Sequence, residues 1–141
     1  GFGNPRRMAA GFDYNRMAML IAILEKRAGY FFSNMDCYVN IVGGLRADEP
    51  ASDLAVALSI ISSLKDSVID SSTIVFGEIG LAGEIRTVNN CEQRIRECER
   101  LGFKKCIIPR QNIKKLPKDE FKDIEIIGVR NVREAFESAV E

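Results

Sequence analysis

Ser52 is the residue through which this sequence could do nucleophilic chemistry. It stands at the head of an apolar run, Leu54 to Ile61, expected to be helical. There the partial positive charge of a helix N-terminus would stabilise an oxyanion or a deprotonated hydroxyl. The chain has no histidine, which removes Ser-His and Cys-His pairs and most zinc sites. A serine would then need a desolvated lysine as its base. No lysine occurs between Lys65 and Lys104, so a residual Ser-Lys peptidase would have to pair Ser52 with Lys104 or Lys105. Arg94 stays protonated and cannot act as a base. On residues alone, catalysis is disfavoured.

Other chemistries find little support. There is no Gly-x-x-x-x-Gly-Lys-Ser/Thr phosphate loop. Gly77, Gly80 and Gly83 lie inside an expected hairpin, not between a strand and a helix, which argues against a dinucleotide fingerprint. Asp48, Glu49 and Asp53 form the closest acidic cluster. They read as the negative charge favoured at a helix start, ahead of a Mg²⁺ site. Cys37, Cys91, Cys98 and Cys106 contain no C-x-x-C pair and sit in apolar-periodic segments. They read as buried free thiols in a reducing compartment, and no metal site is expected.

The elements that must position these residues are legible in the pattern. Gly1–Phe12 reads as an extended linker, and 13–141 as one domain. Asp13 can cap a first helix running to about Arg27, with Met17, Leu20, Ile21, Leu24 and Ala28 on one face. Tyr30–Phe32 and Cys37–Ile41 read as a hairpin around Ser33–Asp36. Pro50 opens a helix to about Leu64 that is apolar nearly all round, hence the central buried one. Thr73–Ile79 and Glu84–Val88 read as two strands of a second hairpin. Asn90 with Gln93 gives a capping box for a helix to Leu101, with Cys91, Ile95, Cys98 and Leu101 inward. Lys105–Ile108 and Ile124–Val129 are expected strands, separated by a basic excursion, Gln111–Lys122. Asn131 with Glu134 caps a last helix through Ala139. The order predicts an α/β fold, a mixed α+β sandwich of sheet and helices.

Composition fits one globular domain: 46% of residues are hydrophobic and 28% charged. No apolar run approaches the roughly 20 residues of a membrane span, and Gly1–Arg7 has no apolar stretch behind it to make a secretory signal. With no initiating Met, the chain is expected to be part of a longer one. The net charge is zero, but residues 86–118 carry ten basic and three acidic groups, which points to phosphate or acidic partners. The candidate phosphate contacts are Arg86, Arg96, Arg100, Lys104, Lys105, Arg110, Lys114, Lys115 and Lys118, with Arg6 and Arg7 in the linker. A solvated basic face is the plainer reading for any one of them. With Phe103 as the one aromatic in 86–118, base stacking has little support.

Three segments carry a family resemblance: Asn4-Pro5-Arg6-Arg7 followed by Asn15-Arg16; Val42-Gly43-Gly44 with Glu49-Pro50-Ala51-Ser52-Asp53-Leu54-Ala55; and Phe76-Gly77-Glu78-Ile79-Gly80-Leu81-Ala82-Gly83-Glu84-Ile85-Arg86 with Gln93-Arg94 and Leu101-Gly102-Phe103. Together they resemble the C-terminal, Lon-protease-like domain of the bacterial RadA (Sms) family of DNA repair and recombination proteins. The same frame is similar to the proteolytic domain of Lon proteases. There the nucleophilic Ser follows Gly-Pro, whereas here Glu49-Pro50 is followed by Ala51. The Lon Lys lies in Gly-Gly-Leu-x-Glu-Lys, whereas here Asn89-Asn90-Cys91-Glu92-Gln93-Arg94 puts Arg94 in its place. A Lon Thr just before Gly-Glu matches Phe76.

The resemblance therefore implies a Lon proteolytic-domain-like fold that is a pseudo-protease, with the degenerate positions Ala51, Arg94 and Phe76. It implies that this stretch is not itself an enzyme and holds no cofactor. The whole protein would be a cytoplasmic, hexameric, DNA-dependent ATPase that drives branch migration. Its ATP, Mg and Zn would sit in upstream domains. Its partners would be further copies of itself, branched or duplex DNA and a recombinase of the RecA type, with no membrane. The phosphates met by the basic candidates would then be those of DNA. Arg94 is expected to form a structural ion pair with Glu78, Glu49 or Asp53.

Overall fold

The computed structural model describes residues 7–10, 14–27, 37–40 and 50–140. Strand β1 (Arg7–Ala10) is followed by α1 (Tyr14–Arg27) and β2 (Cys37–Asn40). A short 3-10 turn, Pro50–Ser52, leads into α2 (Asp53–Lys65). Then come β3 (Thr73–Val75), β4 (Glu78–Ile79), β5 (Ile85–Arg86) and α3 (Cys91–Arg100). The chain ends with β6 (Lys105–Pro109), α4 (Arg110–Ile113), β7 (Glu125–Val129) and α5 (Val132–Ala139). The class is α/β, as the pattern predicts.

A parallel sheet in the order β3-β6-β7 organises the domain. Its residues alternate between two apolar clusters, as a pleated strand requires. Val75, Ile107 and Val129 face one cluster with Leu20 and Leu24 of α1, Leu54, Leu58 and Ile61 of α2, and Phe136 of α5. Ile74, Cys106 and Ile108 face the other, with Cys91, Ile95 and Cys98 of α3. Helices thus cover both faces of the sheet, which explains why β6 reads as a continuous apolar run. Helix α2 is buried along most of its length, in keeping with its nearly unbroken apolar sequence.

Four expectations need correction: Leu101, expected on the inward face of the helix, is 52% exposed, and three others concern strand pairing and capping. Thr73–Val75 is not an arm of the second hairpin. It pairs in parallel with β6, and only Glu78–Ile79 and Ile85–Arg86 pair antiparallel. The break falls at Phe76–Gly77, where the backbone turns to bond elsewhere: Gly77 N donates to Ala51 O at 2.9 Å, and Leu54 N donates to Gly77 O at 2.9 Å. Cys37–Asn40 pairs in parallel with Arg7–Ala10, so part of the expected linker is a sheet strand. Tyr30–Phe32, the other arm of the first expected hairpin, lies outside the described residues. Asn90 does not close a capping box: it takes a left-handed conformation, φ 57°, and its side chain makes no cap bond. The chain needs a left-handed residue to turn into α3, and Asn tolerates that backbone better than most. At α5 the expected cap forms, with Glu134 N donating to Asn131 Oδ1 at 2.9 Å.

Candidate functional site

The turn before α2 and the end of β3 meet at Gly77. The approach is close: a Cβ on Gly77 would lie 3.0 Å from the Leu54 side chain, so any larger residue there would have to push Leu54 aside. The contact sets Ala51, buried to 5% exposure, into the same apolar cluster as Phe76, Cys91 and Ile95. Phe76 is itself 3% exposed. From the other side, α3 lays the Arg94 guanidinium over the Phe76 ring, 5.8 Å from its centre. Arg94 Nε also donates to Asn89 O at 2.9 Å. The positions Ala51, Phe76 and Arg94 are therefore brought together. What meets there is a methyl group, an aromatic ring and a permanently charged cation, a set with neither a nucleophile nor a base.

Asp53, the first residue of α2, has no exposed surface. Its Oδ1 accepts from Arg16 Nε at 2.6 Å and its Oδ2 from Arg16 Nη2 at 2.7 Å. Oδ2 also accepts from Ile79 N at 3.1 Å. One carboxylate thus ties α1, α2 and β4 together through a two-point clamp. Of the three partners expected for Arg94, Asp53 is instead clamped by Arg16. Glu49 lies outside the described residues. The sequence carried one hint of this clamp, an acid at a helix start, and that is also what the helix dipole favours.

Ser52 is fully buried at the head of α2, beside Ala51 and so next to Gly77, just past the carboxyl end of β3. Lys105 pairs with Thr73 at the opposite end of that strand. Four residues of extended chain separate the two levels, about 13 Å. Lys105 Nζ instead donates to Ser138 O at 2.9 Å. The structure does not bring Ser52 together with Lys104 or Lys105.

An open groove of about 290 Å³ runs beside the Ala51–Phe76–Arg94 junction. It is lined by Ile74, Phe76, Asn90, Gln93, Arg94, Glu97, Cys98, Leu101 and Phe103. Burial pushes the Cys98 thiol up to about 11 and the Cys91 thiol likewise to about 11. The Cys106 thiol is also raised by burial. All three are free, and thiols so protonated are poor nucleophiles at neutral pH. Among the described residues no group of His, Cys, Asp and Glu side chains is arranged to hold a metal ion.

The basic candidates separate into two sets. Arg96 on α3 is held by Glu92 at 2.7 Å and by Glu120, and lies 5.2 Å from the Phe121 ring centre. Arg100 is held by Glu97, and Arg86 lies 3.5 Å from Glu84. In contrast, Arg110, Lys114, Lys115 and Lys118 are exposed along α4 and the turns after it, and Lys104 is exposed before β6. Arg6 lies outside the described residues, and only the backbone of Arg7 is described. Sequence reasoning missed what holds the α4 segment in place. Asn112 is buried, its Oδ1 accepting from Val88 N and its Nδ2 donating to Val88 O, both at 3.0 Å. A lone amide between Gln111 and Ile113 gives no spacing signal. Arg110 and Gln111 also line a second groove, with Glu84, Ile85, Val129 and Arg130, at the carboxyl ends of β6 and β7. That is where α/β sheets commonly bind ligands.

Helices on both faces of a parallel sheet, with a buried junction in front of the strand ends, define the class. A family model described as "Subunit ChlI of Mg-chelatase" matches residues 12–112, and the chain belongs to that family. Within the curated proteins it is similar to those named DNA repair protein RadA. It is 48% identical over 139 residues to that of Bacillus subtilis (strain 168), covering 99% of this chain and 30% of the relative. To that of Halalkalibacterium halodurans it is 49% identical over 138 residues, covering 96% and 29%. To that of Aquifex aeolicus (strain VF5) it is 42% identical over 136 residues, covering 96% and 30%. The RadA resemblance read from the motifs holds along nearly the whole chain. The chain spans less than a third of the length of these relatives.

Proposed function

We propose that this chain is a Lon-like domain without peptidase chemistry, working inside a RadA-type DNA repair ATPase. One observation carries the reading: Ala51, Phe76 and Arg94 converge, and a serine-lysine centre cannot be built from them. The buried frame around Gly77 is kept as scaffold. Its work is subunit assembly and contact with DNA.

The DNA-contacting surface is the α4 segment with Arg110, Lys114, Lys115 and Lys118. Exposed cations that are not already neutralised by a neighbouring carboxylate release the most counterions on meeting phosphate. The double hydrogen bond from Asn112 to Val88 fixes this segment to the domain, so the charges are presented in a set arrangement. Arg96 and Arg100 already share their charge with Glu92, Glu120 and Glu97, and contribute little.

The whole protein, on this reading, is a cytoplasmic hexamer that drives branch migration beside a RecA-type recombinase. Its upstream domains hold ATP, Mg and Zn. Among the described residues no helix is long and apolar enough to cross a membrane.

The test of the pseudo-protease reading is incubation of the chain with an unfolded protein substrate. No cleavage is expected, from the chain or from its Ser52→Ala variant. Cleavage that disappears in Ser52→Ala overturns the reading.

A further inference from the structure

Strands β6 and β7 end level with each other. Pro109, the last residue of β6, pairs with Val129, the last of β7. The next residue after each strand is an arginine, Arg110 and Arg130. Neighbouring strands lie about 4.8 Å apart, so the two side chains set out from adjacent positions. Both residues are exposed. Both line the groove of about 400 Å³ at these strand ends, with Gln111, Glu84, Ile85 and Val129.

Local packing brings Arg110 there. A Cβ on Gly128 would lie 3.1 Å from Arg110 Cα and would run into the Ile113 side chain, so the bare backbone of Gly128 lets α4 lie against β7. The paired hydrogen bonds from Asn112 to Val88 then hold α4 in place. Among the described residues neither guanidinium has a carboxylate partner. The acids nearby in the chain and groove are engaged elsewhere. Glu84 accepts from Ala82 N at 3.1 Å and lies 3.5 Å from Arg86. Glu134 accepts from the backbone N of Arg130 at 3.1 Å.

Both arginine charges are permanent. The guanidinium fork takes phosphate oxygens two at a time. A phosphomonoester offers three such oxygens and a charge of about −1.5 to −2 at neutral pH, against about one charge for each backbone phosphate of DNA. Paired, unneutralised arginines therefore match the monoester better. The groove also has the volume of a small-ligand site, about 300–1,000 Å³, which leaves room beyond the phosphate itself. We propose that Arg110 and Arg130 bind a terminal phosphate, one borne by a free nucleotide or by the phosphorylated end of a DNA strand. Gln111 and the apolar wall of Ile85 and Val129 receive the adjoining sugar or base. The site shares Arg110 with the DNA-contacting surface above but does not depend on Lys114, Lys115 or Lys118.

The experiment is calorimetric titration of the chain with AMP, inorganic phosphate and adenosine, repeated on Arg110→Gln, Arg130→Gln and Lys122→Gln. All three replaced side chains are exposed, and an unchanged thermal midpoint verifies each fold. AMP and inorganic phosphate are expected to bind and adenosine is not. Each arginine variant should weaken AMP at least about tenfold, as loss of a charge-assisted hydrogen bond does. Lys122 lies outside the groove, and its variant should bind AMP as wild type does. Equal weakening by Lys122→Gln would mean diffuse attraction and overturns the site. AMP affinity retained in both arginine variants overturns it too. So does a wild-type chain that binds neither AMP nor phosphate up to about 1 mM, and duplex binding that persists in that case leaves the DNA-contacting reading standing. Displacement of a fluorescent AMP by short duplexes with 5′-phosphate or 5′-hydroxyl ends separates the sources. Displacement by the phosphorylated ends alone assigns the site to strand ends as well, and displacement by neither assigns it to the free nucleotide. Equal displacement by both shows backbone phosphates filling the groove and overturns the proposal.

Discussion

The guanidinium of Arg94 lies over the ring of Phe76, 5.8 Å from its centre, at the level where Ala51 meets Gly77. The ring fills the space and the cation covers it from the groove side. The two contributions are unequal. Phe76 is buried among Ala51, Cys91 and Ile95, and Phe76→Ala should cost about 3–5 kcal/mol through reduced burial and the cavity left behind. Arg94→Ala removes a partly buried cation-π contact and the hydrogen bond to Asn89 O, and should cost on the order of 1–2 kcal/mol. Urea denaturation of the two variants measures the ratio. Equal destabilisation would mean that the ring is not the filler of this junction.

Arg16 and Asp53 form the clamp that joins α1 to α2 and β4. Because Asp53 is fully buried, Arg16→Met strands a carboxylate and should cost about 3 kcal/mol or more. Arg16→Met combined with Asp53→Leu should recover part of that stability, since the apolar pair needs no counter-charge but leaves the Ile79 N–H without its acceptor. A double-mutant cycle in chemical denaturation reads the coupling. Effects that simply add would show that the two groups do not act as a unit.

Asp70 gives the fold a dependence on acid. Its carboxyl is held below the usual value of 3.8, first by the Ser72 N–H and then by the Ser72 hydroxyl, both at 3.0 Å. A lowered folded-state pKa means that the ionised form favours the fold. The contribution is therefore present above the ordinary carboxylate range and disappears as pH falls through the folded value. Asp70→Asn should lower the thermal midpoint at pH 7, and the gap to wild type should close by about pH 2. A gap of the same size at both pH values would remove the carboxylate from the account.

The sequence made the helices and most strands readable because each depends on local pattern. The long apolar run of α2 could only be a buried helix. Ala51, Phe76 and Arg94, singled out in the sequence by resemblance alone, are brought together by the structure. What stayed hidden was long-range. The chain leaves the sheet at Phe76–Gly77 because the backbone of Ala51 and Leu54 competes for Gly77, and no local propensity records that. Cys37–Asn40 finds its described partner in Arg7–Ala10, far back in the chain. Arg16 reaches across 37 positions to Asp53. The basic stretch 86–118 looked uniform by composition. Only side-chain placement separates the ion-paired arginines of α3 from the exposed cations after β6.

That separation leads to the measurement that most directly tests the proposed DNA-contacting role. Fluorescence anisotropy of a labelled DNA duplex, titrated with the chain at several salt concentrations, gives affinity and salt slope together. For Arg110→Gln, Lys114→Gln, Lys115→Gln and Lys118→Gln combined, binding should weaken. The salt slope should flatten by roughly 0.9 for each phosphate that is no longer neutralised. Arg96→Gln with Arg100→Gln should leave both values near wild type. A salt slope unchanged by the first set, or a drop in affinity confined to the second, would contradict the account.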